Sequence, residues 1–402
     1  MIIPPLRRPS LKQIKCIGFD PSSFLSETQG RHLKVALLGT RGVPARYGGF
    51  ETAVEEVGSR LADLGHEVTV YCRNPKQRLT SYRGMRLVNL PALRKRSLET
   101  LSHCGLSVAH AVGHRPDAAV LFNAGNAPLI PVLKAFGVPT AVHMDGLEWK
   151  RAKWAGIGAR YYRRAEQMAV RSGCPLIADA QGIADHLRRA YGRQSYLIPY
   201  GAPIISPGTD KLSMLGVASN AYHLVVARME PENHVDVIVD GYARSGSGLP
   251  LLVVGGSPYG NRFAEDVRRM ASGADARFVG GVWDQELLDQ LYAHCRSYLH
   301  GHSVGGTNPS LLRALGAGAP VSAYDVVFNR EVTAGHARFF TCADDVAQNI
   351  RDDDADPESA AKRGGAGQQH AGATYSWDDV AARYEQMLIE IATDEKVVLS
   401  SM

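Results

Sequence analysis

No stretch of the 402-residue sequence approaches the run of about eighteen apolar residues that a membrane-spanning helix needs. Cysteine is scarce: Cys16, Cys72, Cys104, Cys174, Cys295 and Cys342 lie far apart with no CxxC pair. That spacing excludes a zinc-ribbon type of site and, in a chain of this size without a leader, argues against a disulfide framework. Reduced and mostly buried thiols are expected. The first 30 residues carry Arg7, Arg8, Lys12 and Lys15 but no apolar core of a signal peptide, and read as a loose extension. A cytoplasmic protein is the expectation.

What is present is ordinary globular material, 45% apolar and 21% charged, with length for two cores. The net charge of +5 conceals a division. Residues 1–200 hold 29 Lys and Arg against 14 Asp and Glu, whereas residues 201–402 hold 16 against 26. The first half should therefore seek anionic surfaces, nucleic acid or an anionic membrane leaflet, and the second should not.

A short apolar run, His32 to Gly39, reads as a buried parallel strand. A glycine-rich loop, a helix from Phe50 to Leu61 and a strand from Glu67 to Cys72 follow, which is a βαβ unit. Further strands are expected at 118–122, 139–144, 175–179 and 196–199. The pattern restarts at Tyr222–Ala227, with a helix from Val235 to Ala243 and strands at 249–254, 277–279, 297–300 and 320–323. Alternation in both halves predicts an α/β protein of two Rossmann-like, doubly wound domains. The domains read as an extension at 1–32, an N-terminal domain at 33–200, a C-terminal domain at 201–374 and a C-terminal helix and tail at 375–402, packing back towards the N-terminal domain. Ser376 and Asp379 suggest a capping box for that helix, with Trp377, Val380, Tyr384 and Met387 as its apolar stripe. The acidic run Asp352–Asp356 tempts one towards a metal site but reads as a solvated loop.

Open α/β sheets bind ligands beyond the carboxyl ends of their strands. The loop from Gly39 to Gly42 could bring backbone amides to a phosphate, or be a plain turn; it is neither GxGxxG nor a Gly-Lys-Ser/Thr loop. The run Gly305, Gly306, Thr307, Asn308, Pro309, Ser310, Leu311 is stronger, placing an asparagine cap and a first-turn proline at a helix start suited to a diphosphate. Arg228 directly follows the first strand of the second half, where a cation could neutralise a leaving diphosphate; position alone leaves a surface arginine equally open. His143, Asp145, Glu148, Lys150 and Arg151 cluster after another strand, with Asp145 equally able to cap a helix. From Lys150 to Arg171 seven basic residues stand against Glu166 alone, interleaved with Trp154, Tyr161 and Tyr162. Such a segment is either a membrane-surface helix or a solvated basic face. No cluster of metal ligands stands at the strand ends.

Together these motifs resemble the family 4 glycosyltransferases of the GT-B fold, most closely a bacterial rhamnosyltransferase branch that builds cell-surface polysaccharides. The resemblance runs from about Leu33 to Leu388 and rests on Gly39–Glu51, Asp145–Arg151, Arg228–Asn233, His302–Leu312 and Phe328–Val332. It implies two Rossmann-like domains with a cleft between them, a nucleotide-sugar donor linked to dTDP or UDP, and no cofactor or metal. Arg228 is the implied diphosphate ligand and Asp145 the implied carboxylate beside the acceptor. Gly42, Asn233, Gly305, Gly306, Thr307, Asn308, Ser310, Leu311 and Arg313 are implied on the donor side. His143, Glu148, Lys150 and Arg151 are implied on the acceptor side. Asn233 stands where many relatives carry lysine, and Gly305 and Arg313 where they carry two glutamates, the second commonly holding the ribose.

The resemblance implies a retaining transferase in which the leaving phosphate takes the acceptor's proton. L-rhamnose on a lipid-linked saccharide at the inner membrane face, with peripheral contact to anionic lipid and none to nucleic acid, is the expected reaction. A soluble acceptor, a sugar-nucleotide epimerase and a non-catalytic sugar-nucleotide binder are the alternatives.

Overall fold

The computed structural model describes residues 31–45, 48–73, 79–93, 99–144, 146, 149, 156–256 and 262–400. Its strands are β1 (Lys34–Leu38), β2 (Glu67–Cys72), β3 (Ser81–Tyr82), β4 (Met85–Asn89), β5 (Ala118–Phe122), β6 (Thr140–Met144), β7 (Leu176–Ala178), β8 (Tyr196–Leu197), β9 (His223–Val226), β10 (Leu251–Val254), β11 (Ala276–Gly280), β12 (Ser297–His300), β13 (Val321–Tyr324) and β14 (Arg338–Phe340). The helices are α1 (Gly49–Asp63), α2 (Glu99–His114), α3 (Ile130–Ala135), α4 (Ile157–Arg171), α5 (Gln181–Tyr191), α6 (Val235–Ser245), α7 (Arg262–Met270), α8 (Gln285–Ala293), α9 (Pro309–Gly316), α10 (Val327–Thr333), α11 (Ala343–Ala355), α12 (Pro357–Thr374) and α13 (Trp377–Ser400).

The strands form two sheets. The first runs β3-β4-β2-β1-β5-β6-β7-β8, parallel except for the β3–β4 hairpin, and the second runs β11-β10-β9-β12-β13-β14, parallel throughout. Both place their first strand, β1 or β9, in the interior of the sheet, with the order reversing beside it. β5 is buried at all five positions, as a strand covered by helices on both faces requires. Short β3, β4 and β14 are absent from the sequence reading, because two to five residues with mixed burial give no clear period.

Helix α13 crosses from the second half to the first. Ser376 caps it through the Asp378 and Asp379 amides (3.2 and 3.4 Å), and Trp377, Val380, Tyr384 and Met387 are buried. Its polar edge is tied to the first half by Arg60–Asp378 (2.7 Å), His66–Glu385 (2.9 Å) and Tyr196–Glu390 (2.6 Å).

The acidic run is not a solvated loop. Asp352, Asp353 and Asp354 lie in the last turns of α11, and Asp356 caps α12 through the Ser359 amide. Asp353 is 1% exposed and meets Arg363 at 2.7 Å, while Asp354 accepts from Ser247 at 2.6 Å and Asp352 meets Arg338 at 2.6 Å. Charge runs look solvated in a sequence because their cationic partners lie on other elements. Among the described cysteines, Cys72, Cys104, Cys174 and Cys295 are buried and Cys342 is exposed; all are free.

Candidate functional site

The carboxyl ends of the two sheets meet. Asp179, just past β7, accepts a hydrogen bond at its carbonyl from the Thr307 hydroxyl, and a side chain at Gly306 would stand 2.7 Å from the Asp179 carboxyl carbon. A side chain at Gly146 would stand 2.8 Å from the Gly305 carbonyl carbon. The Gln181 amide donates to Glu331 of α10 at 2.8 Å. The first turns of α1 and α9 also converge, since a side chain at Gly49 would stand 3.0 Å from Pro309 Cγ. Two helix N-termini therefore point their partial positive charge into one region.

The start of α9 is firmly built. Asn308 accepts from the Ser310 amide (2.9 Å), as an N-cap should, with Pro309 in the first turn. The Ser310 hydroxyl donates to the Val226 carbonyl at 3.2 Å, which joins α9 to the end of β9 two residues before Arg228. That hydroxyl also bonds Tyr292 and Tyr298, and Leu311 is fully buried. Ser310 and Leu311 thus secure the helix start from beneath, and its backbone is what remains to meet a ligand. Thr307 is likewise spent, on Asp179.

Arg228 is half-buried, and among the described residues no carboxylate pairs with its guanidinium. Asn233 is 2% exposed and donates to the Arg228 carbonyl at 2.8 Å, so its amide braces the loop. Arg313 forms an ion pair with Asp289 of α8.

On the other side, Gly42 has φ +94, and a side chain there would stand 2.6 Å from Cys72 Cα. Glu51, in the first turn of α1, accepts from the Arg41 amide at 3.0 Å; burial pushes its carboxyl up, against the lowering pull of that amide and of Arg41 and Arg73. His143 is completely buried, stacked on Phe122 (5.2 Å) and Tyr200 (6.0 Å) with Phe50 edge-on, and burial pulls it down to about 3. It is a neutral packing group beneath the meeting point, with no exposed face. Asp145, Glu148, Lys150 and Arg151 lie outside the described residues.

Trp149 is held by Glu166, whose carboxylate accepts from the indole N–H at 3.1 Å and from the Tyr191 hydroxyl at 2.7 Å, and it is covered by Arg163 at 4.6 Å. Glu166 is therefore a buried hub, while Arg160, Arg163, Arg164 and Arg171 on the same helix face outward. Sequence reasoning missed Asp179, although it ends a strand run and could have been found by the rule that singled out Arg228. It also missed Glu51 as a half-buried carboxyl.

Solved structures share this arrangement over nearly the whole chain. Sucrose-phosphate synthase from Thermosynechococcus elongatus superposes with a TM-score of 0.77 at 20% identity, covering 89% of this chain and 98% of that one. Anabaena HepE in complex with UDP gives 0.71 at 18%, covering 89% and 100%. WaaG, a glycosyltransferase involved in lipopolysaccharide biosynthesis, gives 0.67 at 16%, covering 87% and 98%. The fold is GT-B.

Within this GT-B chain, residues 48–201 match the glycosyl transferase 4-like domain. A comparison with curated proteins gives no match. The domain match supports a glycosyltransferase enzyme, and the solved structures support the GT-B fold. The matched segment holds α1, the Asp179 turn and Gly146, which is one wall of the meeting point. Arg228 and α9 supply the other.

Proposed function

We propose that the chain moves a sugar from a nucleoside diphosphate donor to a saccharide acceptor. The observation that carries this reading is Arg228, which pairs with no carboxylate among the described residues, beside the start of α9, where the start of α1 also arrives. A guanidinium and two helix N-termini suit the two negative charges that a leaving diphosphate develops. HepE, which shares the fold, has been solved with UDP, with UDP and glucose, and with UDP-glucose.

The finer assignment follows the sequence motifs: L-rhamnose from dTDP-rhamnose or a UDP-linked equivalent, passed with retention to a lipid-linked saccharide of a surface polysaccharide. In that scheme the leaving phosphate takes the acceptor's proton, and Asp145 supports charge at the reacting carbon. No group of three or more metal-ligating side chains stands together among the described residues, and a diphosphate held by Arg228 and amides does not call for one. A melting-temperature screen of UDP-, dTDP- and GDP-linked hexoses tests the donor. A ligand at 100 times its Kd adds about 2.7 kcal/mol of stability. Transfer with the best donor should persist in EDTA; loss restored by Mg²⁺ or Mn²⁺ would refute the metal-free scheme.

Peripheral contact with anionic lipid rests on the outward guanidinia of α4. No described helix is long and apolar enough to cross a membrane. Each basic residue near such a surface contributes about 1 kcal/mol. Reversing Arg160, Arg163 and Arg164 to glutamate should abolish sedimentation with phosphatidylglycerol vesicles, and unchanged sedimentation would leave α4 a solvated face.

A further inference from the structure

The loop after β9 holds a second side chain without a partner. Both carboxylate oxygens of Glu232 are sheltered from solvent, and neither accepts a hydrogen bond from the described residues. Arg228, four positions earlier, is also without an ion-pair partner among the described residues. Opposite charges at that separation in a free loop would be drawn together. Here the two form no ion pair, and the backbone that carries them is tightly bonded. Asn233 donates from its side chain to the Arg228 carbonyl (2.8 Å) and from its amide to the Glu230 carbonyl (2.9 Å). The Glu232 carbonyl accepts from both the amide and the hydroxyl of Ser303, each at 3.0 Å. His234 bonds the Gly301 carbonyl at 2.9 Å, and a side chain at Gly301 would stand 3.0 Å from the Asn233 carbonyl carbon. The loop is thus fastened to the segment that leads into Gly305.

A sheltered carboxylate with no hydrogen bond is costly, and native proteins rarely carry one without a use. An ionised carboxylate only accepts, so whatever satisfies it must bring N–H or O–H donors. The neighbouring guanidinium asks for an anion. We propose that Glu232 accepts hydrogen bonds from hydroxyl groups of the bound sugar nucleotide while Arg228 holds its diphosphate. This rests on the donor reading above and deepens it: Glu232 is a specificity-determining carboxylate for the donor's hydroxyls, either the ribose diol or the transferred sugar.

The test uses the full chain and titration calorimetry with the best sugar nucleotide of the screen, its nucleoside diphosphate, the 2′-deoxy form of that diphosphate, and pyrophosphate. Glu232→Gln keeps the size and removes the charge. It should weaken the sugar nucleotide about 10- to 100-fold, the range for a hydrogen bond to a charged group, and leave pyrophosphate unchanged. A loss shared by the ribonucleoside diphosphate and absent from its 2′-deoxy form assigns the ribose. A loss seen only with the intact sugar nucleotide assigns the transferred sugar. The ligand-free variant should melt no lower than the wild type, since no internal bond is removed. Unchanged sugar-nucleotide affinity, a lower melting temperature without ligand, or a wild-type affinity that requires Mg²⁺ each overturns the assignment. If the wild type binds no sugar nucleotide at all, the donor reading falls and takes this assignment with it.

Discussion

The loops that follow β1 and β9 occupy equivalent places in the two halves, each leading from the first strand of its sheet towards a helix. They are finished differently. After β1 the chain turns in on its own domain: the Gly42 amide bonds the Thr40 hydroxyl at 3.1 Å, Cys72 fills the space beside Gly42, and Glu51 takes the Arg41 amide. After β9 the backbone is equally well bonded, yet two charged side chains, Arg228 and Glu232, have no partner among the described residues. One loop uses glycine to make room for protein. The other bonds its backbone and, on the reading proposed above, keeps two charges available for a ligand.

Arg228→Ala should separate the loops most sharply. Turnover should fall on the order of 10²–10³-fold, by analogy with loss of one donor to a developing anion. Because the guanidinium pairs with no described residue, urea midpoints should stay within about 0.5 kcal/mol of wild type. Near-normal turnover would remove Arg228 from the site.

Gly42→Ala should do the reverse and act on stability. At φ +94, with Cys72 Cα 2.6 Å from the added carbon, strain and overpacking together should cost about 2–4 kcal/mol in urea unfolding. A loss below about 1 kcal/mol would mean the first loop is no more filled than the second.

Asn233→Ala is the mildest of the three. Removing its bond to the Arg228 carbonyl should cost about 1–2 kcal/mol and loosen the loop. Donor affinity should fall with no change in the acceptor's KM. If affinity falls as far as in Arg228→Ala, Asn233 touches the donor itself.

Much of the architecture was legible because buried parallel strands are short apolar runs and both halves repeat the pattern. The cap at Asn308, the proline after it and the stripe on α13 were legible for the same reason: each is a local signature. The fate of individual charges was not. Arg313 and Arg228 look alike in the sequence, but Asp289 from another helix pairs with the first and no described carboxylate pairs with the second. His143 looked like a polar residue at a strand end, yet three aromatic rings from 50, 122 and 200 enclose it.

The sequence by itself determined two doubly wound halves, the glycine and proline positions where strands turn into helices, and the surplus of positive charge in the first 200 residues. These follow from periodicity, backbone sterics and composition, which are properties of neighbours in the chain. Only the tertiary structure decided that the starts of α1 and α9 meet, that Asp179 receives Thr307, and that Asp353 is buried against Arg363 while Arg228 and Glu232 form no ion pair. Those outcomes depend on which groups from distant segments reach one another, and burial then fixes whether a charge is spent on the fold or kept for a ligand.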